Sequence, residues 1–156
     1  MSGSKKTHIL IPDGESHLLI NVIYCLIKTN RYRVFVISTE DENYIRHSSI
    51  VANYFFYPET EDDSAWIRVI NQEVLKHNID VILPILQIPI RRLIKNRSLL
   101  ENPEKLVVLP ELKDYDVASD KWQLFKHLSR NSLPSPDTLL YDISDGEQLK
   151  DFPRVD

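Results

Sequence analysis

Two places in the 156-residue chain put reactive side chains beside backbone features that could use them. The first is Pro12-Asp13-Gly14-Glu15, which follows the apolar run Thr7-His8-Ile9-Leu10-Ile11. The run predicts a strand and the break predicts its carboxyl-end loop. In parallel sheets that is where ligands collect. The second place is Ala118 to Lys126, followed by Asn131 to Thr138. Asp120 predicts a helix cap there. Lys121 then lies at the helix start, where the dipole disfavours a cation. Two readings stay open on the residues alone: a solvated lysine beside a cap, or a lysine whose charge an adjacent phosphate offsets.

Other chemistries find less support. The Pro12–Glu15 loop has one glycine, whereas a dinucleotide fingerprint uses three. Glu40 or Asp41 after the second strand could imitate a ribose-binding acid, but an NAD-binding domain is disfavoured without the glycines. A phosphoacceptor receiver would need a further aspartate at a strand tip, and the strands ending at Tyr57 and Pro84 offer none directly. His8, His17, His47, His77 and His127 are scattered, and none has metal-ligand spacing to another or to Cys25. No nucleophile elbow, Walker loop or zincin signature is present. Cys25 is the single cysteine, so no internal disulfide forms. Its place in an apolar helix predicts a buried, inert thiol.

Composition narrows the class. The chain is 42% hydrophobic and 27% charged, which suits a globular domain, and its net charge is −4. Acids and bases are mixed and no basic stripe appears, so nucleic acid is not an expected partner. No apolar run approaches the ~18 residues of a membrane span, and no secretory h-region follows Met1 to Lys6. A cytoplasmic location is the expectation.

The elements that would position the two places follow in order. His17 to Thr29 predicts a largely buried helix with Ser16 as cap. Arg33–Ser38 predicts the second strand and Asn53–Tyr57 the third, with a short helix within 44–50. A helix after Asp62 or Asp63 would bury Trp66, Ile67, Val69, Ile70, Val74 and Leu75. Asp80–Pro84 predicts a fourth strand covered on both faces. Ile85–Pro89 would be a loop, and Ile90–Leu100 a helix whose outer face carries Arg91, Arg92, Lys95 and Arg97. Lys105–Leu109 predicts a fifth strand. After Pro110 come a short helix at 111–117, a clearer one at 118–131, and the extended link Ser132–Pro136. A strand at 138–141 and a helix at 144–149 close the reading. Strands alternating with helices predict an α/β fold with a parallel sheet and helices on both faces.

In ordered sequence, several of these pieces resemble the N-terminal part of ATP-grasp ligases, the superfamily of carbamoyl-phosphate synthetase large subunits, biotin carboxylase and many carboxylate–amine ligases. They are the strand–Asp-Gly–helix opening at Ile9 to Leu26, then His47-Ser48-Ser49 and Tyr57-Pro58, then Asp80–Pro84. Asp120-Lys121 with Leu133-Pro134-Ser135-Pro136-Asp137-Thr138 follows and is the most specific piece. The family often carries an arginine after the serine matching Ser48 or Ser49; here Ile50 follows Ser49.

The resemblance implies a Rossmann-like preATP-grasp domain at 1–116, with a linker helix and the first elements of an ATP-grasp domain at 117–156. It implies that Lys121 contacts ATP phosphates and that Asp13, Gly14 and Glu15 face the substrate. It also implies ATP- and Mg-dependent conversion of a carboxylate to an acyl-phosphate, which an amine or similar nucleophile then attacks. A second ATP-binding lysine, a glycine-rich phosphate loop and acidic metal ligands would follow Phe152-Pro153. The expectation is therefore a fragment, inactive alone and without bound cofactor, that needs a C-terminal ATP-grasp domain in the same chain or a separate one. A homodimer is one assembly open to it. The alternative is a stand-alone α/β small-molecule-binding or interaction domain without catalysis.

Overall fold

The computed structural model describes residues 5–138 and 140. The chain divides into two units, residues 1–112 and 113–156.

In the first unit, β1 (Thr7–Ile11), β2 (Tyr32–Ser38), β3 (Asn53–Phe56) and β4 (Val81–Ile82) form a sheet in the order β3-β2-β1-β4. All its pairings are parallel, with Leu10 opposite Phe35 and Ile82, and Val36 opposite Tyr54. Side chains alternate across the sheet. Leu10, Phe35 and Ile37 therefore face one core, with Trp66, Ile67 and Ile70 of α2 (Asp63–Lys76) and Leu93 of α3 (Gln87–Lys95). Ile9, Ile11, Val34 and Val36 face the other, with Leu19 and Ile23 of α1 (Leu19–Ile27). Both faces are covered, which is why the strands read as unbroken apolar runs.

Asp62 caps α2, its carboxylate accepting the N–H groups of Ser64 at 2.9 Å and Ala65 at 3.2 Å. Asp62→Ala should lower stability by about 1 kcal/mol, measured by urea denaturation. An unchanged midpoint would mean that packing of Trp66, Ile67 and Ile70 alone holds the helix start.

Several expectations are corrected. α1 is half-buried: Leu19 and Ile23 are sealed, but Leu18, Tyr24 and Cys25 are exposed, so the thiol is not a core group. Ser16 does not cap α1 directly. Its Oγ accepts the Leu18 N–H at 3.2 Å in a turn that precedes the helix. The short helix within 44–50 is a single 3-10 turn at Tyr44–His47. Leu75 is exposed, not core. α3 starts at Gln87, inside the expected loop, because Pro89 falls in the first turn, where a missing N–H costs nothing. Its Arg92 is folded inward. The fifth strand is absent among the described residues. Pro103–Lys105 is a 3-10 turn, and a single parallel bridge joins Leu106 to Ile82.

From the end of the first unit into the second, α4 (Leu112–Ser119) and then α5 (Lys121–Arg130) stand where two helices were expected. Asp120 caps α5, accepting the Gln123 N–H at 2.9 Å. Residues 132–138 carry no regular element. The strand expected at 138–141 runs into residues outside those described, and the helix expected at 144–149 lies wholly outside them.

Candidate functional site

Strand order reverses between β1 and β4, because β2 and β3 build outward on one side of β1 and β4 returns to the other. The crevice outside such a switch point is where open α/β sheets bind ligands. Here Asp13 closes it. Its side chain is fully buried just past β1. One carboxylate oxygen accepts the N–H groups of Ile85 at 2.7 Å and Leu86 at 2.5 Å, on the segment between β4 and α3. The other oxygen is buried with no hydrogen-bond partner among the described residues. Burial pushes the carboxyl up to about 6, and the nearby Glu15 adds to the rise, against the two backbone hydrogen bonds.

Gly14 is pressed against β2, donating its N–H to the Ile37 carbonyl at 2.8 Å. A Cβ there would lie 2.5 Å from Val36 Cγ1 and 2.7 Å from Ser38 Cβ. A glycine stands here because the backbones approach closely. Glu15 is half-buried and points the other way from Asp13's clasp. Its Oε2 lies 3.5 Å from Ser38 Oγ and 3.4 Å from the Thr39 N–H.

An open cavity of about 250 Å³ lies over the carboxyl ends of β1, β2 and β3. Pro12, Ser38 and Tyr57, each next to or at a strand end, form its floor, and Glu15, Glu59 and Arg92 are its charged lining. Leu86 and Pro89 supply the wall that Asp13's hydrogen bonds hold in place. Arg92 is fixed on three sides. Its Nε donates to Asp63 Oδ1 at 2.7 Å, an Nη donates to the Thr60 carbonyl at 3.2 Å, and its guanidinium lies 4.4 Å from the Trp66 ring centre. Burial opposes ionisation of Asp63, but hydrogen bonds from Arg92 and Asn96 and the charge of Arg92 and Lys95 outweigh it. The carboxyl is held below its ordinary value.

The sequence-derived residues thus divide. Asp13 and Gly14 build the loop from beneath, and Glu15 is the one of the three that lines the cavity. Lys121 is exposed at the first turn of α5, in the second unit, with no hydrogen bond or ion pair among the described residues. Glu59 and Arg92 were missed as site residues. Pro58 after an apolar run was the available signal for the first; the second was read as a solvated helix face. His8 and His77 also meet unannounced. His8 Nδ1 lies 2.9 Å from the His77 carbonyl, and both rings flank Phe35. Among the described residues, no group of three His, Cys, Asp or Glu could hold a metal ion.

The chain matches the crystal structure of L-amino acid ligase from Bacillus licheniformis with a TM-score of 0.62 over 88% of its length, at 16% identity. The fold is similar to that of the N-terminal region of ATP-grasp ligases. The biotin carboxylase subunit of pyruvate carboxylase matches over 92% of the chain at 18% identity, TM-score 0.52. So does the biotin carboxylase domain dimer of Hydrogenobacter thermophilus 2-oxoglutarate carboxylase, in complex with MgADP, ADP and bicarbonate, at the same coverage, identity and TM-score. The chain spans 36% of the ligase and 32% of each carboxylase. Neither a protein-family model nor a curated protein sequence matches it. The ATP-grasp likeness is one of backbone, carried at low identity. Among the described residues, no helix is long and apolar enough to cross a membrane.

Proposed function

We propose that this chain is the N-terminal portion of an ATP-grasp ligase. Residues 1–116 would be its preATP-grasp domain, and 117–156 its linker helix and the first elements of the ATP-binding domain. In the whole enzyme ATP and magnesium would supply the phosphoryl group that turns a carboxylate into an acyl-phosphate, ready for an amine or similar nucleophile. The observation that carries this reading is the fold shared with L-amino acid ligase over 88% of the chain. The cavity over the carboxyl ends of β1, β2 and β3 supports it as the concave surface this domain offers a substrate. Glu15, which lines the cavity, would face a substrate, with Asp13 and Gly14 setting its position. Lys121 would reach ATP phosphates. The metal ligands and the rest of the nucleotide site would come from an ATP-grasp domain outside these residues, so the 156-residue chain alone is expected to be inactive.

The test is ATP hydrolysis by the complete protein in extracts of its source, or by this chain joined with a complementary ATP-grasp partner, scanned with small carboxylates. Carboxylate-stimulated release of ADP supports the reading. Its absence across the scan overturns it. In the complete protein, Lys121→Ala should weaken ATP binding by about 1–3 kcal/mol, the scale of a charge-assisted contact. Unchanged affinity, read by calorimetry, would remove Lys121 from the site.

One observation favours a second reading. The cavity is bounded entirely by residues 12–92 of the first unit, so it can hold a small molecule without any other domain. Ligand binding by the chain, with no ATP turnover in the complete protein, would select a binding domain without catalysis.

A further inference from the structure

We infer that the cavity at the strand ends takes the ammonium group of an organic amine and turns a carboxylate away. This deepens the ligase reading and rests on it for the amine's part as a substrate. It assigns this domain the amine, and leaves the carboxylate to be held elsewhere.

The charges in the lining carry the argument. Its cation, Arg92, is already committed to Asp63, the Thr60 carbonyl and the face of Trp66. Lys95, 4.0 Å from Asp63, shares the same acid. A carboxylate entering the cavity would find the charge of Arg92 already offset by Asp63. It would also meet Glu15 and Glu59, two acids that form no ion pair among the described residues. Like charges repel there without compensation. An ammonium meets the reverse situation. It donates three N–H groups and accepts none. Glu15 has acceptor capacity to spare, since its contacts with Ser38 and Thr39 are long and engage one oxygen.

The remaining wall suits the rest of such a molecule. Pro12, Ile37, Pro58, Leu86 and Pro89 are apolar and give a short hydrocarbon body a surface to cover. At the ~30 Å³ a water occupies in the liquid, the cavity has room for roughly eight non-hydrogen atoms. The nucleophile fitted here is a small alkyl amine.

The experiment titrates the isotope-labelled 156-residue chain with n-butylammonium chloride and, separately, with sodium butyrate at matched ionic strength. The Trp66 indole and Thr39 amide signals report on the cavity. Saturable shifts of both with the amine, and none with butyrate over the same range, are expected. Glu59→Gln, on an exposed side chain that the fold does not need, should weaken the amine by about three- to tenfold, and raised salt should weaken it further. Equal binding of butyrate, no binding of the amine, or amine affinity unchanged in both Glu15→Gln and Glu59→Gln would overturn the inference. The two readings fail separately. Amine binding without ATP turnover in the complete protein removes the ligase and keeps the amine site. Turnover without amine binding does the opposite.

Discussion

Replacing Gly14 with alanine should cost about 3 kcal/mol of stability, the upper part of the range for overpacking. The added methyl would lie 2.5 Å from Val36 Cγ1, 2.7 Å from Ser38 Cβ and 3.0 Å from the Ile37 carbonyl oxygen. None of the three is the far end of a flexible chain. Val36 is fully buried in the middle of β2, and Ser38 Cβ is one bond from the backbone. The loop itself must therefore lift, which stretches the 2.8 Å hydrogen bond from Gly14 to Ile37. Lifting the loop also moves Glu15, so loss of stability and loss of cavity binding should appear together. Urea denaturation of Gly14→Ala beside the parent chain reads the first. A loss below about 0.5 kcal/mol, the ordinary scatter of surface substitutions, would mean that the loop relaxes freely.

The second large effect is a pH dependence. Asp13 has its carboxyl raised from an ordinary 3.8 to about 6, chiefly by burial. The folded chain thus holds that proton more tightly than the unfolded chain does. The stability this group contributes is complete below about pH 4 and is lost as pH rises through about 6. Each tenfold difference in proton affinity is worth about 1.4 kcal/mol, so the loss from pH 4 to pH 7 is roughly 3 kcal/mol. Asp13→Asn keeps an oxygen for the Ile85 and Leu86 N–H groups and has no charge to bury. Its stability relative to the parent chain should therefore rise by about that amount between pH 4 and pH 7. A difference that stays flat across this range would mean that Asp13 titrates as an ordinary aspartate. Asp13→Ala differs in kind. It leaves two backbone donors without their acceptor, at about 1–3 kcal/mol for each one left unsatisfied.

Much of the framework was legible because it depends on local pattern. Thr7–Ile11, the break at Pro12 and the apolar helix that follows gave the first βα unit. Asp62 and Asp120 marked two helix starts through side chains that bond their own neighbours. What escaped was decided by distant parts of the chain. Lys105–Leu109 is as apolar as β1, yet it pairs only at Leu106, since the turn at Pro103–Lys105 brings the chain to β4 for one residue. Arg92 looked like part of a basic outer face, and its role appears only when Asp63 and Trp66, nearly thirty residues away, stand beside it. Asp13 read as a loop acid because nothing in Pro12–Glu15 says that two N–H groups seventy-two and seventy-three residues later will close over it. The cavity brings Glu15 and Glu59 into one lining through the parallel order of three strands, which is a property of topology and not of spacing.

Among the described residues the sheet beyond β4 ends in a single bridge, and Val108, two residues after it, is 99% exposed. An unpaired apolar border of this kind is a template on which a strand from another molecule can grow. The chain places a proline on either side of the stretch, Pro103 and Pro110, and a lysine at its head, Lys105. Prolines withhold the N–H groups that a growing ladder needs, and lysines charge its rim. These three residues act as gatekeepers. Their expected effect is on how concentrated the protein can become before copies add edge to edge, a limit on handling that no measure of unfolding would report.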